Sequence, residues 1–171
     1  MSEAFTVEAA ARALVGRLAP AELESLPIIS AGFRHDAATR RRITRDVLYP
    51  PRSGPRPTGF DPSAVAAAVA PVVVVILNAV STEVLTDWAG RGTRSLLGRM
   101  RRRRAVARSI AHPADPRAVL PRLDEEQAAR VALRCHELAL LSGLTEHQAE
   151  IMARLIAEML VAAPGEQSDG D

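Results

Sequence analysis

Residues 62–82, PSAVAAAVAPVVVVILNAVST, run for 21 positions without a charged side chain. A stretch of this length and composition has to leave water, and two environments accept it: the hydrocarbon of a bilayer or the interior of a protein. About 20 apolar residues of helix cross a bilayer, and the mean hydropathy of this window exceeds the usual threshold for a spanning helix. The leading reading is therefore one membrane-spanning helix at about 64–82. Two residues pull the other way, because Pro71 removes a backbone donor in mid-segment and Asn78 sets an amide among hydrocarbon. The rival reading is a soluble bundle whose central helix, 64–80, is wrapped completely by amphipathic helices from both ends of the chain. A buried strand at 72–77 is a third possibility.

The flanks read as helical, so the expected fold class is all-α. Val7, Ala10, Leu14, Val15 and Leu18 fall at helical spacing before Pro20 stops the run. A weaker helical stretch follows at 21–26, and a third helix starts at the N-cap candidate Asp36 and turns Ile43, Val47 and Leu48 inward. These pieces make an N-terminal helical unit, 1–48. Residues 49–62 hold five prolines and two glycines, which excludes regular structure and makes 49–61 a linker. The apolar segment continues into an Arg-rich amphipathic extension, so that 62–110 form one region, in which Val84, Leu85, Trp88, Leu96, Leu97 and Met100 keep an apolar stripe. A Pro-rich loop occupies 111–123.

Residues 124–163 carry the clearest local pattern. Asp124 with Gln127, and Thr145 with Gln148, have the spacing of an N-cap and its reciprocal partner, and Gly143 between them suits a left-handed helix end. The spacing predicts two antiparallel helices in a hairpin, followed by an acidic tail, 164–171. In the second helix Ile151, Met152, Leu155 and Met159 belong to a stripe broad for a lone hairpin, so this face is expected to meet a protein partner, a second copy or the N-terminal helices.

Charge narrows the function classes. All 22 basic residues are arginine, the habit of a GC-rich bacterial coding sequence, and without lysine a phosphate-loop lysine, a Schiff base and a Ser/Lys dyad are impossible. Arg99, Arg101, Arg102, Arg103, Arg104 and Arg108 follow Trp88, an arrangement suited to an anionic lipid surface with the C-terminal half cytoplasmic, although Arg45, Arg52 and Arg56 on the other side weaken the bias. The first ten residues, MSEAFTVEAA, contain no basic leader and no contiguous apolar run, so insertion would use the internal segment.

No constellation points to catalysis, a metal or a cofactor. His35, His112, His136 and His147 never fall four apart, Cys135 is a lone core candidate whose neighbour His136 lies on another helix face, and Gly90, Gly92 and Gly98 miss dinucleotide-loop spacing. Asp124, Glu125 and Glu126 are the acidic first turn a helix dipole favours. Glu146, Glu150 and Glu158 on the last helix would repel phosphate, which leaves nucleic acid only a non-specific contact with the arginine run.

The order of an N-terminal helical unit, an Ala/Val/Pro segment, an Arg-rich stretch and a hairpin turning at Ser142, Gly143 and Leu144 is similar to that of a group of uncharacterised small helical actinobacterial proteins. That resemblance implies a membrane-associated helical protein and supplies no catalytic residue. The expectation is a non-enzymatic adaptor or anchor, single-pass in the cell membrane, that recruits a protein partner or self-associates. Its alternative is a cytoplasmic helical interaction module with a basic surface, binding nucleic acid non-specifically if at all.

Overall fold

A computed structural model of the chain describes residues 5–49, 68–82 and 113–161. All the regular elements among them are helices: α1 (Val7–Leu18), a 3-10 turn (Pro20–Glu22), α2 (Leu26–His35), α3 (Ala37–Leu48), α4 (Val69–Ser81), α5 (Glu125–Leu141) and α6 (Glu146–Leu160). The linker 50–61, the segment 83–110 with its arginine run, and the acidic tail lie outside the described residues.

The core is built around α4. Val69, Ala70 and every residue from Val72 to Val80 are buried, the pattern of a helix that is apolar all round and therefore needs neighbours on every side. They come from this chain, since α1, α2, α3 and α5 all pack on it. Thirteen residues rise only about 20 Å, against a hydrocarbon core of about 30 Å. Among the described residues no helix is long and apolar enough to cross a membrane.

The single helix expected from 64 to 82 is corrected by where α4 begins. Ala68 has ψ 124 and is not helical. Both oxygens of the Glu22 carboxylate accept backbone N–H bonds at the new helix start, from Val69 at 3.0 Å and from Ala70 at 2.8 Å. A carboxylate here satisfies two of the donors that a helix N-terminus leaves unpaired and complements the positive end of its dipole. Pro71 then falls in the first turn, where a missing N–H costs nothing. It helps to start the helix, where the sequence reading had it interrupting one.

The same logic applies in the N-terminal unit. Thr6 caps α1 through its hydroxyl, which accepts from Ala9 N–H at 3.2 Å. The stretch expected to be helical at 21–26 is a 3-10 turn, and Pro27 lies in the first turn of α2, a helix the sequence reading passed over. Asp36 ends α2 and caps α3. Its carboxylate accepts from the Thr39 hydroxyl and from the backbone N–H groups of Ala38 and Thr39, which hold it below the usual carboxylate value of 3.8. Arg40 closes the corner by donating to the Phe33 and Arg34 carbonyls, each at 3.0 Å.

The hairpin has the expected caps. Asp124 accepts from Gln127 N–H at 2.7 Å, and Thr145 and Gln148 form a reciprocal box. Between the helices Gly143 takes φ 90. Gly143 N–H donates to Leu140 O and Leu144 N–H to Ala139 O, the paired bonds by which a left-handed residue ends a helix. Residues 113–124 then lace the parts together. Val7 and Glu8 donate to the Ala118 and Pro116 carbonyls, Leu120 donates to Phe5 O, and Leu123 donates to Leu160 O. Two otherwise unpaired donors at the start of α1 are thereby satisfied by the loop.

A candidate ligand cavity between α1, α2 and α4

α1 and α2 both rest on α4 but make no substantial contact with each other. The space they leave is a half-open cavity of about 450 Å³. Protein interiors contain few voids larger than a water molecule. If this one were sealed and dry, about 24 cal/mol per Å³ would make its cost about 11 kcal/mol, as large as the whole stability of a typical domain. Its contents are therefore water or a ligand, and its size lies in the range of small-molecule sites.

Apolar side chains form most of the wall. α1 supplies Val7 and Ala11, the turn and α2 supply Leu23, Leu26, Pro27 and Phe33, and α4 supplies Val74 and Leu77. Polar groups stand among them: Glu8 and Arg12 on α1, Ser30 and Arg34 on α2, and Asn78 on α4, with Ala114 and Pro116 of the loop at the edge. Glu8 and Arg12 pair across one helical turn at 3.5 Å, largely in solvent. Arg34 has no carboxylate partner among the described residues, and its Nε is buried without a hydrogen bond.

Asn78 is only 3% exposed. Its Oδ1 accepts from Ala114 N–H at 2.7 Å, which fixes the amide orientation and ties the loop to α4. Its Nδ2 is the second buried donor in this wall without a partner among the described residues. An unpaired buried donor costs about 1–3 kcal/mol, and since neither atom has surface open to water, both lie behind the cavity surface and not on it. The third unpaired buried atom, Thr44 Oγ1 on α3, is not part of the cavity wall.

The residues singled out by sequence are distributed otherwise. Trp88, Arg99, Arg101, Arg102, Arg103, Arg104 and Arg108 lie outside the described residues. On α6, Met152 and Met159 are buried in the core, while Ile151 and Leu155 are half-buried. α1 and α5 pack against this helix, so a partner approaching it would meet Ile151 and Leu155 and not the whole stripe. Cys135 is fully buried, and desolvation pushes its thiol far above the usual range, leaving it a small core hydrophobe. His136 Nε2 stands 3.1 Å from Glu146 and joins α5 to α6. His35 and His147 are exposed, and among the described residues no three potential ligands converge on a metal position.

Sequence reasoning missed the cavity, although Asn78 was visible as the lone amide in the apolar run. Arg34 gave no signal, because the helix that carries it was not expected. No protein-family model, curated protein or solved structure matches the chain.

Proposed function

We propose that this protein is a non-enzymatic helical binding module that takes a small, mainly apolar molecule into the cavity between α1, α2 and α4. The observation carrying this reading is an apolar space of about 450 Å³ in the flank of a core otherwise filled by tightly buried side chains. The polar groups in its wall are few and spread over three elements, which suits recognition of one ligand end and not the convergent chemistry of a catalytic site.

The test is titration of the full chain with a neutral apolar fluorophore such as N-phenyl-1-naphthylamine. Saturable binding at one molecule per chain, weakened at least tenfold by the cavity-filling change Ser30→Phe, is expected. Binding that never saturates, or that ignores Ser30→Phe, would sink the reading.

A second property rests on the arginine run. Six arginines lie within ten positions, at 99, 101–104 and 108, each able to contribute about 1 kcal/mol near an anionic lipid surface. With the apolar segment committed to α4, membrane association would be peripheral, from the cytoplasmic side, and the module would act as an adaptor bringing its ligand or a protein partner to that surface. Co-sedimentation with vesicles containing phosphatidylserine, released by 0.5 M salt, is expected; retention until detergent is added would contradict a peripheral attachment.

A further inference from the structure

We propose that the molecule held in this cavity is a monocarboxylate with an apolar body, its carboxylate at the Arg34 guanidinium. This rests on the cavity being a binding site and adds the chemistry of the ligand. Three ionised side chains stand in the wall. Glu8 and Arg12 offset each other, which leaves the Arg34 guanidinium as one uncompensated positive charge among the described residues.

Arg34 Nε and Asn78 Nδ2 are closed off from the cavity, so contact with a ligand falls to the terminal guanidinium nitrogens of Arg34. A planar carboxylate matches the guanidinium fork and carries the single negative charge that balances it, whereas a phosphate dianion would exceed it. The remaining wall, with Val7, Ala11, Leu23, Leu26, Phe33 and Leu77, faces the body of the ligand with hydrocarbon. At about 30 Å³ per water of liquid volume the space equals roughly 15 waters, room for a medium-length aliphatic or small aromatic acid and not for a peptide.

The experiment is calorimetric titration of the full chain with octanoate, 1-octanol and acetate, with side-chain NH resonances followed by NMR. Octanoate is expected to saturate one site, 1-octanol to bind at least tenfold more weakly and acetate not to bind measurably. The Arg34 guanidinium signals should shift with octanoate occupancy. Arg34→Gln should bring octanoate down to the level of 1-octanol while leaving 1-octanol unchanged, and Arg34→Lys should fall between. Equal binding of octanoate and 1-octanol, untouched by Arg34→Gln, would overturn the carboxylate while leaving the cavity a binding site. Octanoate binding that leaves the Arg34 signals unmoved would place the anion elsewhere and overturn the proposal. No saturable binding by octanoate or 1-octanol would remove both the proposal and the reading beneath it.

Discussion

Glu22 shows how one side chain can set the limits of an element far along the chain. Its carboxylate fills the capping position of a helix that begins 47 residues later, a service that no residue near Ala68 performs. Glu22→Ala should cost about 1–2 kcal/mol, the range for losing a good N-cap, in urea unfolding, whereas the exposed neighbour Glu24 changed to Ala should stay within about 0.5 kcal/mol. Thr44 offers the opposite case. Its buried hydroxyl has no partner among the described residues, so Thr44→Val, similar in shape, should be neutral or stabilising by up to about 1 kcal/mol. Asp36 provides the acid signature. Because its folded-state value is lowered, the cap of α3 contributes fully above the ordinary carboxylate value and is lost as pH falls below it through the lowered one. The stability gap between the native chain and Asp36→Asn should accordingly shrink from pH 5 to pH 3, measured by urea unfolding at each pH.

Elements whose ends are written by neighbouring residues were legible, and those whose ends depend on distant ones were not. The hairpin follows local rules throughout: Asp124, Gly143 and the Thr145/Gln148 box all act within four residues of the groups they satisfy. Gly143 needs its left-handed backbone, so Gly143→Ala should destabilise by about 1–2 kcal/mol, read as a lowered denaturant midpoint with unchanged slope. α1 and α3 were legible from nearby residues too, through the apolar spacing from Val7 to Leu18, Pro20 and Asp36. Pro71 misled, because it sits in a first turn yet, without a visible cap beside it, reads as a break. For α4 the cap is Glu22, and sequence spacing holds no trace of that pairing. The cavity was illegible for a related reason, since it depends on how α1 and α2 are spaced over α4, and periodicity reports which face of a helix is apolar but not how far apart two helices lie.

At the scale of the whole molecule, residues 69–81 of the segment read as membrane-spanning form a core helix on which four others pack. Burial of a helix on every face and insertion into a bilayer ask for similar composition, so composition alone could not separate them. What separates them physically is the supply of complementary apolar faces, and α1, α2, α3 and α5 provide these around α4. Ile76, 1% exposed at the centre of α4, should be among the most costly positions to truncate. Ile76→Ala is expected to lose about 2–5 kcal/mol in chemical unfolding, whereas the same change at Ile28, 75% exposed on α2, should fall within about 0.5 kcal/mol.

The most direct measurement is amide hydrogen exchange by NMR on the full chain in detergent-free buffer. The amides of residues 73–80 are expected to be among the slowest in the protein, opening only with global unfolding and together with the buried positions of α5 and α6. Exchange in α4 faster than in the hairpin, or protection that arises only after detergent micelles are added, would contradict a fold built around this helix.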